Sequence, residues 1–240
     1  MGGDLPSLIG EDLAQETIHY TDKIYLEFGA DEHVEGLGNT AVITLGALCI
    51  GVVIGALVAI IKYCGEGVPA LKPLCTLCDI YTTVIRGIPV VVVLLLFYFA
   101  FMQSANGITV GIVTFGINSG AYMAELMRSG IGAVDAGQME AGRSLGMSRL
   151  QTTVHVILPQ AMKNILPAIG NEMIALLKET AVAGYVAVQD LTRAGNLIRN
   201  NTFDAFNPLM VVALTYLAIV VALTRLLAVL EKRLHKGDRH

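Results

Sequence analysis

The sequence predicts an all-α integral membrane protein with about five membrane-spanning helices and a folded helical element in a cytoplasmic loop. Three observations lead there. Apolar residues make up 54% of the 240-residue chain and mean hydropathy is +0.64, higher than a soluble domain usually reaches. The run "AVITLGALCIGVVIGALVAII", Ala41 to Ile61, holds no charged residue. At about 1.5 Å per residue it is long enough to cross a hydrocarbon core of about 30 Å. Between later apolar runs lies "QMEAGRSLGMSRLQTTVHVILPQA", Gln138 to Ala161, which is charged, punctuated by glycine and patterned as two short helices.

The opening residues 1–38 carry nine Asp or Glu against Lys23 alone. Acids spaced between apolar residues, as in "TIHYTDKIYLEF", suit a helix lying along the membrane surface, and suit a plain tail nearly as well. No basic, apolar signal-like stretch precedes them, so the first span is expected to direct insertion. After Ala41–Ile61 come "PVVVVLLLFYFAFM" (Pro89 to Met102), "ITVGIVTFGINSGAYMA" (Ile108 to Ala124) and "LMVVALTYLAIVVALTRLLAVL" (Leu209 to Leu230). A further candidate, Asn164 to Val188, is burdened by Glu172, Lys178 and Glu179.

Lys and Arg in the connecting segments set the orientation. Ten of them (Lys62, Lys72, Arg128, Arg143, Arg149, Lys163, Lys232, Arg233, Lys236 and Arg239) fall on one side of a five-span chain, against Lys23, Arg193 and Arg199 on the other. The N-terminus is therefore expected outside, and the C-terminus and the 138–161 stretch in the cytoplasm. Cys75 and Cys78 form a C-x-x-C pair. No second Cys/His pair stands nearby to complete a zinc site, so small apolar roles in a helix are expected for them.

Within the cytoplasmic stretch, Asp135 to Leu145 has helix formers with acids at its start. Gly146 falls where a left-handed cap is expected. Ser148 and Gln151 make the capping-box pattern that opens a second helix. The result is a compact knob beneath the membrane.

The run "GQMEAGRSLGMSRLQTTVHVILPQAMKNILPAIGNEMIALLKETAV" closely resembles the EAA-loop region of ABC-importer permeases of the polar amino acid uptake family. "GLGNT" (Gly36 to Thr40), "RGIP" (Arg86 to Pro89) and "AYMAELMRSGI" (Ala121 to Ile131) match in the same order, and the likeness covers about residues 36 to 234. Two positions depart from the pattern: Gly142 stands for the second alanine of the EAA motif, and Ile88 for the third position of RGTP.

The resemblance implies the type I ABC importer permease fold. It divides the chain into an acidic extracytoplasmic segment over 1–38, a transmembrane domain over 39–232 with its coupling loop at 135–158, and a basic tail over 233–240. It also implies a bacterial cytoplasmic-membrane location and transport of polar or charged amino acids. Glu140, Ala141, Gly142, Leu145 and Gly146 would form the surface that couples to a cytoplasmic ABC ATPase dimer. The chain has no G-x-x-x-x-G-K-[ST], so ATP is expected on that partner and no cofactor on this subunit. A second permease subunit, identical or not, and an extracytoplasmic amino-acid-binding protein complete the implied assembly.

Ionisable groups in hydrocarbon cost at least about 2.5–3.5 kcal/mol, so those inside the spans need a reason. A zwitterionic amino acid presents a carboxylate and an ammonium, both costly to desolvate unpaired. Arg86, Gly87, Asn118, Tyr122, Lys178 and Glu179 are the candidate substrate-binding residues, with Arg86 or Lys178 suited to the carboxylate and Glu179 to the ammonium. The bland alternative is a salt-bridge network between spans. Lys178 and Glu179 point about 100° apart, so one of them is expected to face elsewhere. Glu125, Glu172 and Arg225 are expected in structural or gating roles. Competing functions are an ABC permease for an opine or compatible solute, an ion-coupled carrier and a membrane enzyme. The chain shows neither an internal inverted repeat nor H-E-x-x-H or G-x-S-x-G.

Overall fold

The computed structural model describes residues 29–234. The surface helix considered for the opening residues falls mostly outside that range, as does the end of the basic tail. Helix α1 spans Gly29–Gly65, so it already includes the last part of the acidic 1–38 segment. After a short 3-10 turn come α2 (Lys72–Gly87) and α3 (Val90–Leu96), the latter extended by a wide π-type turn over Phe97–Phe101. Helix α4 spans Gly107–Gly132 and α5 Gly137–Ser144. Helix α6 (Arg149–Thr152) passes through a second π-type turn, Thr153–Ile157, into α7 (Leu158–Glu179). Tight 3-10 turns over Thr180–Val186 lead to α8 (Leu191–Thr202), and α9 closes the chain at Phe206–Leu234.

Helices α1, α4 and α9 are each long and apolar enough to cross a membrane, and α2 with α3 forms a pair bent by 104° that is apolar enough for a fourth when counted as one broken span. The remaining expected span is α7, whose 22 residues include Lys163, Glu172, Lys178 and Glu179. The 104° bend has a local cause. Proline disfavours helical backbone in the residue before it, and Ile88 is accordingly extended at φ −105°, ψ 132°. Arg86 is in the last turn of α2, directly before this bend.

The centre of the bundle is the pair α1 and α4. Gly46 lies against Ile112, Gly51 against Ser119 and Gly55 against Met123. Positions rise together on both helices, so the two run parallel. A Cβ on Gly55 would lie 2.4 Å from that of Met123. Such small-residue stripes replace the hydrophobic drive that lipid does not supply, because they let backbones approach and dispersion contacts accumulate. Helix α7 runs antiparallel to α4, with Gly130 beside Ile165 near one end and Asn118 beside Glu179 farther along. Helix α9 lies against α7 where Gly170 meets Leu227, and Pro208 and Val212 are its buried residues.

At the end of the bundle that carries the start of α1, Ile43, Leu94, Val110, Phe115, Leu176 and Val186 form a closed apolar core. The "GLGNT" motif clasps α8 there. Asn39 Nδ2 donates to the Gln189 carbonyl at 2.9 Å, and Thr40 Oγ1 accepts from the Leu191 N–H at 3.2 Å. Gly36 has no room for a Cβ, which would lie 2.8 Å from the Asp190 carbonyl oxygen. Asp190 is fully buried and caps α8 by accepting from the Thr192 and Arg193 N–H groups. Burial pushes its carboxyl above the ordinary aspartate value, against the opposing pull of those N–H donors.

Candidate functional site

Beyond that apolar core lies a polar layer. Asn118 and Ser119, 3% and 0% exposed, project from the middle of α4. Asn118 Nδ2 donates to Glu179 Oε2 at 3.4 Å, and Ser119 Oγ donates to Glu172 Oε1 at 3.0 Å. Glu172 and Glu179 are seven residues apart on α7, two helical turns, and so share one face. Both carboxylates thus line the α4–α7 seam. The α-helix gives way to 3-10 turns directly after Glu179, at the level of Asn118. Tyr81 of α2 adds a third polar contact at this depth, donating to the Ile117 carbonyl at 2.6 Å.

One turn along α4 from Asn118, Tyr122 lies under the Arg86 guanidinium, 5.2 Å from ring centroid to Cζ. The ring's negative face attracts that cation. Arg86, Gly87 and Tyr122 line an open cleft of about 490 Å³ together with Lys62, Asp79, Thr82 and Glu125. Lys62 Nζ is 2.8 Å from Asp79 and 3.4 Å from Glu125, and Arg128 pairs with the other Glu125 oxygen at 2.9 Å. The candidate substrate residues therefore fall into two adjoining groups: Asn118 with Glu179 in the closed layer, and Arg86, Gly87 and Tyr122 in the cleft. Lys178 joins neither; it is exposed on the outside of α7.

The knob has the geometry its sequence pattern requires. Gly146 has φ +82°, and Ser148 and Gln151 form a reciprocal capping box. Gly142, the departure from the EAA pattern, is buried against α6: a Cβ there would lie 2.4 Å from Thr152 Cγ2. Thr152 occupies the space an alanine methyl would take. Glu140 and Ala141 are exposed, and Leu145 and Leu150 are 84% and 73% exposed. The two leucines thus project from an ordered turn as an exposed apolar pair.

Residues 51–236 match the family described as binding-protein-dependent transport system inner membrane component. The chain belongs to that family. Among its relatives is the probable glutamine ABC transporter permease protein GlnM of Bacillus subtilis, 35% identical over 208 residues, covering 85% of this chain and 94% of that protein. The glutamine transport system permease protein GlnP of Escherichia coli is 36% identical over 206 residues, covering 84% and 92%. A solved structure of an amino acid ABC transporter with histidines is 37% identical, with a TM-score of 0.79 over 97% of this chain and 100% of that one. The methionine ABC transporter MetNI shares the fold at 20% identity, with a TM-score of 0.73 over 84% and 95% of the two chains. The fold is that of type I ABC importer permeases, and the chain is a multi-pass membrane subunit in a family of transport permeases.

The structure also brings Lys62, Asp79, Ser119 and Glu172 beside the candidate residues. Lys62 was assigned to a loop because hydropathy falls at its position, whereas α1 continues to Gly65. Glu172 carried a usable signal: seven residues before Glu179, it had to share that residue's face.

Proposed function

We propose that this chain forms half of the translocation path of an ATP-driven importer of polar amino acids. The observation that carries this is the α4–α7 polar seam, where Asn118 and Ser119 meet Glu179 and Glu172 within an otherwise apolar bundle. Carboxylates kept at that depth are expensive unless they serve a ligand or a partner. Glu179 is suited to receive the substrate ammonium, and Arg86, above Tyr122, to hold its carboxylate. Two helices break beside these residues, at Ile88–Pro89 and at Thr180. Broken helices at a transport site offer unpaired backbone N–H and C=O groups to a zwitterion. The named relatives, described as glutamine permeases, support an amino acid as the cargo.

In this reading the N-terminus is extracytoplasmic and the knob and C-terminus are cytoplasmic, in keeping with the Lys and Arg distribution. A second permease subunit supplies the other half of the path, and a binding protein delivers substrate from outside. An ABC ATPase dimer docks on Glu140, Ala141, Leu145 and Gly146, with Gly142 packed behind them against α6, and carries out ATP hydrolysis. Affinity purification of the chain from its native membrane, followed by reconstitution, tests the proposal. The expected preparation contains an ATPase and a second permease, and takes up a labelled polar amino acid only with ATP and binding protein. Uptake driven by an ion gradient without ATP would refute it, as would cysteine labelling of Arg149→Cys from outside.

A further inference from the structure

The knob follows α4 and leads into α7 along the chain, and it meets the inner end of α1 through polar side chains. A cavity of about 540 Å³ separates the knob from the spans, lined in part by Tyr63, Glu66, Arg128, Met139, Arg149 and Ile157. Three contacts cross the gap to α1. Tyr63 Oη and Thr153 Oγ1 share a hydrogen bond of 2.8 Å, and Arg149 faces both Tyr63, 5.8 Å from its ring centroid, and Glu66, at 3.9 Å. The preceding residue of α1, Lys62, holds Asp79 and Glu125 at the wall of the cleft.

Adjacent residues of one helix thus grip the two parts that must move together. Thr153 itself begins the π-type turn between α6 and α7, a place where the helical ladder is already loosened. Arg149 is exposed and its 3.9 Å ion pair with Glu66 is solvated, which makes it a weak link. The Tyr63–Thr153 bond is short and half-buried.

We propose that the Tyr63–Thr153 hydrogen bond is the positioning contact through which motion of the knob reaches α1, and through Lys62 the cleft. This rests on the knob being the ATPase-docking surface. Tyr63→Phe keeps the ring beneath Arg149 and removes only the hydroxyl, while Thr153→Val keeps the branched shape. The complex is reconstituted with ATPase and binding protein, and substrate-stimulated and basal ATP hydrolysis are measured with uptake.

A typical hydrogen bond contributes about 0.5–1.5 kcal/mol net, so each single variant should lower stimulation roughly two- to tenfold. Basal hydrolysis and ATPase co-purification should be unchanged. Thr153→Val also loses the Thr153 Oγ1 donation to the Arg149 carbonyl at 2.9 Å, so the decisive readout is the cycle: Tyr63→Phe with Thr153→Val should be no worse than Thr153→Val alone. Multiplying effects, or unchanged stimulation in both singles, overturns the inference. Glu140→Arg separates its failure from that of the underlying reading. If that change leaves ATPase binding and stimulation intact, the knob is not the docking surface; if it abolishes them while the cycle multiplies, only the Tyr63–Thr153 assignment fails.

Discussion

Alanine at position 142 is the substitution that separates local helix preference from tertiary packing most sharply. The resemblance to the EAA motif makes alanine the ordinary residue there, and alanine is a better helix former than glycine by about 1 kcal/mol. Packing opposes it. A Cβ on Gly142 would sit 2.4 Å from Thr152 Cγ2 and 2.7 Å from its Oγ1, where real contacts essentially never fall below 3.0 Å. Either α5 and α6 separate by at least about 0.6 Å, or Thr152 turns away and loses its 3.0 Å hydrogen bond to the Ser148 carbonyl. Overpacking of this kind costs about 1–3 kcal/mol, so the net penalty is roughly 0–2 kcal/mol after the gain in helix preference. That is too little to disturb the spans, which do not rest on this contact, but the displacement falls on the surface meant to fit a partner. Gly142→Ala should therefore insert and assemble with the second permease normally, yet lose several-fold in substrate-stimulated ATP hydrolysis after reconstitution. Adding Thr152→Ala removes both clashing atoms and leaves the Cβ of residue 152 at 3.1 Å, so stimulation should largely return. Full stimulation in Gly142→Ala, or a double variant no better than the single one, would refute the packing argument.

Three further outcomes are expected. Gly146→Val forces a β-branched residue into φ +82°, at a cost of at least about 1–2 kcal/mol; the chain should still insert, while substrate-stimulated hydrolysis and uptake fall together. Glu179→Gln should weaken uptake by roughly a hundredfold, in line with the 2–5 kcal/mol lost when one member of a desolvated pair is removed, whereas exposed Lys178→Gln should change it far less; equal effects would return Glu179 to a structural role. Because burial raises the Asp190 carboxyl above its ordinary value, its contribution to stability is fully present below about pH 4 and is lost as pH rises through the raised value. Asp190→Asn keeps the cap acceptor, so its thermal midpoint in detergent should gain on the wild type as pH climbs from about 4 to 8, and a pH-independent difference would contradict the assignment.

The amino-acid sequence by itself determined the helical membrane class, the knob and the order of its parts, because each rests on local physics. A charge-free run longer than a bilayer, a glycine where left-handed backbone is needed and a Ser-x-x-Gln cap act within a few residues of themselves. The helix break at Pro89 belongs here too, since proline dictates the conformation of its neighbour. What the tertiary structure decided is who meets whom. That the face of Glu172 and Glu179, rather than that of Lys178, turns toward α4 is set by close packing between helices, such as Gly130 of α4 against Ile165 and Gly170 against Leu227 of α9. Lys62 became part of the cleft wall because α1 continues past the hydropathy drop to Gly65, bringing its amine to Asp79 and Glu125. Hydropathy records the preference of each residue for lipid or water; it does not encode the rotation of one helix against the next, which close packing between distant glycines and side chains fixes.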